Sequence, residues 1–404
     1  MPKQTLTLRT NIVLITMIMV HIVWSKVVYA GCEAKIAGVN CAQLGTITET
    51  DGGIFSMKSF GDTLYLGMFG YHHKYDTNSD VSMMYQYRNG RIDRVPKTRE
   101  PHFGENKGIE ESVYVFEEFN GQLYASTEDD GHLYRLENDN WKRVFDSGYR
   151  GGFNLIKYQG YLYALFSNHH SQTFEIRRSS SGNPNSWSQV KTGDGYMKDL
   201  VVYQSKLYAF SVDGSQRHYW VTSNGTSWAR YDAPARFYES FVCGNTLWLS
   251  SSNNYQDGFT AAGGLFNAGI WEYKNGSFII RYKNNGFPLF KDIVEINGTL
   301  VASASRCFKN ECVNNSRDAA LFASFNGGDT WVKIASFNEE SVFALQIHNG
   351  ELYAGTMQYE STTNGYGRLY RITVPSGSIM HCNDVNNDVN IVPIIGLLLL
   401  DEEE

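Results

Sequence analysis

Apolar and polar residues alternate along most of this chain in short runs separated by turn dipeptides, and one stretch shows the rule clearly. Apolar residues alternate at Val113 and Val115, Phe119 closes the run, Asn120-Gly121 follows, and Leu123-Tyr124-Ala125 begins a new one. Period-two alternation predicts a half-buried strand, and Asn-Gly supplies the positive φ of a two-residue hairpin turn. No long run with a 3.6-residue period occurs, so the pattern predicts strands rather than helices.

Relatives of this hairpin recur. Gly61-Asp-Thr-Leu64-Tyr65, Gly121-Gln-Leu123-Tyr124, Gly160-Tyr-Leu162-Tyr163, Ser205-Lys-Leu207-Tyr208, Gly244-Asn-Thr-Leu247-Trp248, Gly298-Thr-Leu300-Val301 and Gly350-Glu-Leu352-Tyr353 align on the turn and the leucine. The leucines are 59, 39, 45, 40, 53 and 52 residues apart. Such spacing suits four-stranded units that cannot bury their faces alone and must stack in a ring. A second pattern follows the first: Leu133 to Leu136, a turn at Asn138-Asp139-Asn140, then Trp141 to Val144, with partners at Trp187 to Val190, Trp228 to Tyr231 and Trp331 to Ile334. These read as third strand, turn and fourth strand. The last unit stops after Leu369-Tyr370-Arg371-Ile372, and the segment Gln43 to Thr48 is expected to supply its missing strand. The expectation is an all-β, seven-bladed β-propeller of four-stranded antiparallel blades over residues 31–375, its ring closed by an N-terminal strand completing the last blade.

Composition agrees: 42% hydrophobic and 14% aromatic residues, with 26 Tyr and 23 Phe against 8 Pro, suffice for a strand-built core in 404 residues. A net charge of -7 gives no reason to expect nucleic-acid binding. Residues 1–30 read as a signal peptide, with basic Lys3 and Arg9, an apolar stretch from Asn11 to Trp24, and Val28-Tyr29-Ala30 before Gly31 as the cleavage site. The apolar stretch is short and interrupted by His21, so no stable transmembrane span is expected in the mature protein. Tyr29-Ala30-Gly31-Cys32 also resembles a lipobox, which makes lipid anchoring through Cys32 the alternative to plain secretion.

Export makes the six cysteines a disulfide question. Cys307 and Cys312 are placed to close a small loop, Cys32 and Cys41 to staple the N-terminus, and Cys243 pairs with Cys382 only if the tail folds back. No Cys-x-x-Cys occurs to support a zinc site, and no cofactor is assigned. In the tail, residues 376–404, Asp384-Val-Asn386-Asn-Asp388 resembles the start of a calcium loop and half of a dockerin repeat. Val389 stands where that loop needs glycine, and no acidic residue closes it.

In a four-stranded blade the turns after strands one and three share one side, and the connections after strands two and four share the other. Here the first side carries tight turns and the second the long loops, which makes the second the expected working face. There fall Tyr71, His72, His73 and Tyr75, then His102, Glu128-Asp129-Asp130, Tyr149-Arg150, His169 and His170, Arg217-His218, Tyr255, and Arg306 to Arg317. His72, His73, His169, His170 and His218 are the candidate catalytic residues, since imidazole is readily set as a base near neutral pH. Tyr71, Tyr75, Asp130, Arg150, Tyr255 and Arg306 are the candidate ligand contacts, because aromatic faces stack on sugar rings and Arg forks hold carboxylates. Asn224, Asn275, Asn297 and Asn314 begin glycosylation sequons, the first three on the turn side.

Ser324-Phe325-Asn326-Gly327-Gly328-Asp329-Thr330-Trp331 resembles the Asp-box of sialidase-type (BNR) propellers, with Asn326 in place of Asp; shortened versions stand at Ser223 to Trp228 and Ser181 to Trp187. In that family the box is a folding motif between third and fourth strands, so the resemblance implies architecture over residues 42 to 373. It does not imply sialidase activity: there is no Arg-Ile-Pro motif, and Arg150, Arg236, Arg306 and Arg317 match no arginine triad. Propeller-type polysaccharide lyases offer an analogy by residue type alone. The expected function is a secreted recognition or scaffold propeller that binds a glycan or extracellular protein through the loop-rich face. The alternative is an extracellular glycan-active enzyme, a lyase or hydrolase, using His, Tyr and Arg of that face.

Overall fold

The computed structural model describes residues 31–48, 53–69, 84–95, 112–128, 131–148, 151–168, 171–211, 217–251, 268–284, 286–287, 289–305, 318–359, 365–377 and 382. Among them there is no helix. The strands are β1 (Cys32–Ala34), β2 (Asn40–Ile47), β3 (Ile54–Phe60), β4 (Thr63–Met68), β5 (Met84–Arg88), β6 (Arg91–Arg94), β7 (Val113–Phe119), β8 (Gln122–Thr127), β9 (His132–Glu137), β10 (Asn140–Asp146), β11 (Gly152–Tyr158), β12 (Tyr161–Asn168), β13 (Thr173–Ser179), β14 (Ser188–Asp194) and β15 (Met197–Tyr203). They continue with β16 (Lys206–Ser211), β17 (His218–Thr222), β18 (Ala229–Asp232), β19 (Phe237–Cys243), β20 (Thr246–Ser251), β21 (Gly269–Lys274), β22 (Ser277–Lys283), β23 (Leu289–Ile296), β24 (Thr299–Ser305), β25 (Ala319–Ser324), β26 (Val332–Phe337), β27 (Ser341–His348), β28 (Glu351–Tyr359) and β29 (Gly365–Thr373).

These strands form seven antiparallel sheets: β3 to β6, β7 to β10, β11 to β14, β15 to β18, β19 to β22, β23 to β26 with β1, and β27 to β29 with β2. The first strands β3, β7, β11, β15, β19, β23 and β27 each touch the next, and β27 touches β3, so the sheets close into a ring. The protein is a seven-bladed β-propeller. Its last blade is completed by β2, paired from Asn40 opposite Thr373 to Ile47 opposite Gly367, as the sequence pattern predicts. β2 thereby pairs with the outer edge of β29, which the three strands β27 to β29 would otherwise leave open.

One strand escapes sequence reasoning. β1 adds a fifth strand to blade six, pairing Cys32 with Phe337 and Ala34 with Ala335. The Cys32–Cys41 disulfide then ties β1 to β2, and therefore blade six to blade seven. The second disulfide joins Cys243 to Cys382, so the chain after β29 does fold back. On the way it crosses blade six, where the Gly377 amide donates to Asn297 O and the Thr299 hydroxyl to Pro375 O. Cys307 and Cys312 lie outside the described residues.

The turns follow the expected chemistry. Asn120 and Gly121 both have positive φ, as do Asn297-Gly298 and Asn349-Gly350, the signature of a type I′ hairpin. In blades one and five, where the spacing is Gly-x-Thr-Leu, only Gly61 and Gly244 are positive, as in type II′. In six of the seven repeats an aromatic residue follows the motif leucine, and it packs on the outer hairpin of the next blade. Tyr65 meets Trp141 edge-on at 6.2 Å, Tyr208 meets Tyr273 at 6.0 Å, and Tyr353 meets Tyr87 at 5.8 Å. Neighbouring blades thus bury each other's faces, and the core is distributed around the ring.

Candidate functional site at the propeller axis

In all seven blades the pairing between first and second strands slips once, between Ile54 and Ser56, Val113 and Val115, Gly152 and Asn154, Met197 and Asp199, Phe237 and Glu239, Phe290 and Ile293, and Val342 and Ala344. A bulge leaves its extra residue out of the ladder and bends the strand. The residues set free are Phe55, Tyr114, Phe153, Lys198, Tyr238, Lys291 (with Asp292) and Phe343. Each lies 9 positions before the leucine of its repeat. First strands start on the loop-rich side, so the bulges sit at that end of the axis. There Phe55, Tyr114, Phe153, Tyr238 and Phe343 gather with Phe69, Tyr196, Leu289 and Met357 into one buried cluster. Ring centroids are 4.6 Å apart for Phe55 and Tyr114, 5.0 Å for Phe55 and Phe343, and 4.7 Å for Tyr114 and Phe153. The result is an aromatic collar beneath the loop face.

Bulging also exposes backbone acceptors, and hydroxyls of the preceding blade satisfy them. Ser56 donates to Val113 O, Ser126 to Gly152 O, Ser167 to Met197 O and Ser250 to Lys291 O, at 2.6 to 2.8 Å. These bonds stitch blade to blade at the height of the collar and hold it in register.

Two lysines complete the collar, only 4% and 3% exposed. The Lys198 ammonium lies 4.9 Å from the centroid of Tyr114, 4.7 Å from Phe153, 5.4 Å from Tyr196 and 5.1 Å from Tyr238, and donates a 3.1 Å hydrogen bond to the Tyr114 hydroxyl. Tyr114 in turn donates to Glu128 Oε1 at 3.3 Å. Lys291 lies 4.1 Å from the Phe55 ring, donates to Phe55 O at 2.9 Å and stands 3.8 Å from Glu239. Ring faces offer the partial negative charge that a dehydrated ammonium needs, which is how these cations are held away from bulk water.

One residue further along the strands stand Asp199, Glu239 and Asp292. Asp199 accepts from Asn154 Nδ2 at 2.9 Å, and Asp292 caps blade seven by accepting from the Leu345 amide at 2.8 Å. Burial pushes the Asp199 carboxyl up to about 7, against the pull of the Ser240 hydroxyl and the Leu200 amide. Burial likewise raises Glu239 to about 8, opposed by Lys291 and reinforced by the charges of Asp199 and Asp292. Asp292 rises to about 6, held back by Lys291 and the amides of Leu345 and Ile293, while burial lowers Lys291. Asp199 is the fully enclosed member at 2% exposure; a Glu239 side chain 35% exposed borders the bore, where water softens the effect. Below, at the turn end of the axis, Glu117 accepts from Lys58 at 2.9 Å and lies 3.8 Å from Lys157.

His218 is the one predicted catalytic residue that the structure describes. It opens β17, is 2% exposed, and packs edge-on to Trp220 at 6.2 Å beneath Gly195. It is a buried side chain of blade four. His72, His73, His169, His170, Tyr71, Tyr75, Asp130, Arg150, Tyr255 and Arg306 lie outside the described residues. The axial residues were not singled out from sequence, although the recurring position 9 before the leucine was available to find them. Among the described residues no group of three or more His, Cys, Asp or Glu side chains is placed to hold a metal ion.

The fold and this axis define the class: a β-propeller whose axis is closed by an aromatic and ionic collar at the loop-rich end. No protein-family pattern matches the chain, and no curated protein does. Solved structures do. The extracellular domain of a protein described as a hybrid two-component system from B. thetaiotaomicron is similar over 82% of this chain and 39% of that one, with a TM-score of 0.54 and 10% identity. An ancestral GH74 enzyme is similar over 82% of this chain and 49% of its own, with a TM-score of 0.56 and 10% identity. At such identity the likeness is one of fold, and the chain spans less than half the length of either.

Proposed function

We propose that this chain is an extracellular recognition propeller that binds a glycan or protein ligand through its loop-rich face, with the axial collar as a rigid floor. The observation that carries this reading is the internal engagement of the collar: Lys198 is bound to Tyr114 and caged by four rings, and Lys291 is bound to Phe55 O. Charges committed in this way stiffen a platform and leave recognition to the loops above it, where Tyr71, Tyr75, Asp130, Arg150, Tyr255 and Arg306 are the proposed contacts. Residues 1–30 serve as signal peptide, 31–375 form the propeller and 376–404 are an appended tail. The Cys32–Cys41 and Cys243–Cys382 bonds suit an oxidising compartment. With its sulfur in a disulfide, Cys32 has no thiol for a lipid thioether, so secretion is preferred to anchoring.

The test is binding of the full mature chain to arrays of glycans and of extracellular proteins, repeated with Tyr71→Ala/Tyr75→Ala, Arg150→Ala and Arg306→Ala. Loss of at least tenfold in affinity with an unchanged circular-dichroism spectrum is expected. Binding that survives every loop substitution overturns the assignment of face. A second reading, an extracellular glycan-active enzyme using His72, His73, His169, His170 or His218, is favoured by carboxyls poised near neutrality at Asp199 and Glu239. Product formation from a panel of acidic polysaccharides, abolished by the double His→Ala pairs while binding persists, replaces the first reading with the second. Neither reading assigns a cofactor.

A further inference from the structure

Gly31, just before β1, is wedged against a buried acid. Its carbonyl accepts from the Asn338 amide at 2.7 Å, and the next residue, Glu339, accepts through its own carbonyl from the Ala319 amide at 3.1 Å. Glu339 stands between β26 and β27 and is 0% exposed. Its Oε1 accepts from the Tyr370 hydroxyl at 2.8 Å and from the Arg368 guanidinium, both on β29. Gly31 touches the same two donors: a Cβ on it would stand 2.0 Å from the Tyr370 hydroxyl and 3.3 Å from Arg368 Nη1. Both donors serve one carboxylate oxygen, and Glu339 Oε2, equally buried, has no hydrogen-bond partner among the described residues. A buried carboxylate oxygen left bare is costly. The other charged groups of the joint are engaged with one another: Glu340 accepts from Gln358 at 3.1 Å, Glu33 pairs with Lys35 at 2.6 Å and Asp318 with Lys333 at 2.9 Å, while Arg368 lies 4.5 Å from the Tyr366 ring.

We propose that Glu339 is the receptor for the α-ammonium group of Gly31, a docking site completed when residues 1–30 are removed. It rests on the reading of those residues as a signal peptide cut after Ala30. In hydrolysis of the Ala30–Gly31 bond, the oxygen of water goes to the Ala30 carboxylate and both its protons to the Gly31 nitrogen. An amide with one donor becomes an ammonium with three donors and a positive charge, beside the acid whose second oxygen is bare. β1 is the fifth strand of blade six and is tied through Cys32–Cys41 to β2 of blade seven, so the ion pair locks the joint between these blades. Glycine after the cut is required twice, by a φ of +122° and by the approach of Tyr370.

The experiment takes the mature secreted chain and first reads its N-terminus by mass spectrometry. A start other than Gly31 overturns the cleavage position and the docking site together. With Gly31 first, its α-amine is titrated by 15N nuclear magnetic resonance of a glycine-labelled chain. The neighbouring carboxylate is expected to raise it by at least about one unit above the ordinary value of about 8. Glu339→Gln, whose amide keeps an oxygen for Tyr370 and Arg368, is expected to return it to that value. An ordinary value in the unaltered chain, or a raised one that survives Glu339→Gln, overturns the docking site and leaves the signal-peptide reading standing. A second variant keeps Ala30 as its first residue, which moves the ammonium away from Glu339. Exchange of the Lys35 amide, which donates to Ile334 O at 2.8 Å, is then expected to quicken at least about tenfold, the equivalent of one pKa unit. Equal exchange in the two chains overturns the proposal, whether or not Glu339→Gln folds.

Discussion

Tyr163 of blade three rests on Gly225 of blade four, in the turn between β17 and β18, where a Cβ on residue 225 would run into the tyrosine hydroxyl. The pair joins the two sequence patterns: Tyr163 follows a motif leucine, and Gly225 belongs to a turn that resembles the Asp-box. Tyr124 stands likewise on Gly182, and Trp248 on Gly328. In each turn a Ser or Thr side-chain oxygen accepts from the glycine amide: Ser179 from Gly182 at 2.7 Å, Thr222 from Gly225 at 2.9 Å and Ser324 from Gly328 at 2.8 Å. Glycine is required there for two reasons at once, a φ of +73° at Gly225 and the close approach of the ring.

Gly225→Ala is therefore expected to destabilise the propeller by about 2–4 kcal/mol, combining a left-handed backbone with overpacking. Denaturant unfolding of Gly225→Ala, Tyr163→Phe and the double variant measures the coupling. Removing the hydroxyl is expected to relieve part of the penalty, giving an interaction energy of about 0.5–2 kcal/mol. Strict additivity sinks the contact as the cause.

The turn between β15 and β16 uses Gln204 and Ser205 at φ of 49° and 57°, a conformation that side chains resist. Replacing the pair with Asn-Gly is expected to stabilise the chain by roughly 1 kcal/mol, seen as a higher midpoint in urea. Tyr158 donates to the Ser205 carbonyl at 3.0 Å, a main-chain contact the exchange preserves.

Reduction of Cys32–Cys41, or its replacement by serines, is expected to cost about 2–3 kcal/mol from loop entropy. The loss should appear first at the joint between blades six and seven. Hydrogen exchange at Glu33, opposite Ser336, reads it directly, and unchanged protection there contradicts the role of β1 as a clasp.

Stability should depend on pH in a direction opposite to ordinary acid denaturation over part of the range. Asp199, Glu239 and Asp292 bind protons more tightly folded than unfolded, so their contribution is complete below about pH 4 and is lost as pH rises through about 6, 7 and 8. Lys291, lowered by burial, acts the other way at higher pH: its contribution is present above its unfolded value and lost as pH falls. Asp62 and Glu137 are lowered by hydrogen bonds from Arg88 and Arg135, so their contribution disappears on the acid side. Maximal stability is expected on the acid side of neutrality, with a fall as pH rises from about 5 to 8. Melting temperatures at fixed ionic strength check this, and a curve that rises from pH 5 to 8 refutes it.

Much of the blade plan was legible because its determinants are local. Asn120-Gly121 sets a turn by its own φ preferences, Leu123 and Tyr124 alternate across a strand, and their spacing counts the blades. The collar was harder to read. Phe55, Tyr114, Phe153 and Lys198 occupy one structural position but differ in chemistry, so residue-type patterns do not align them. The turn at Gly328 is set by the Ser324 hydroxyl and the close approach of Trp248, and the comparisons support the propeller fold and not the sialidase-type family. His218 looked like a loop residue because it follows Gln216-Arg217, yet strand pairing with Asp232 draws it into the core.

By itself, then, the chain determined seven hairpin repeats, their turn chemistry and the completion of the last blade by residues near Gln43, since each depends on neighbours in sequence or on a simple count. Only the tertiary structure decided that β1 would clasp blade six, that Cys382 would return to Cys243, and that two lysines and three acids would meet on the axis. Ring closure brings together residues as distant as Phe55 and Lys291, and no local preference of either encodes that meeting.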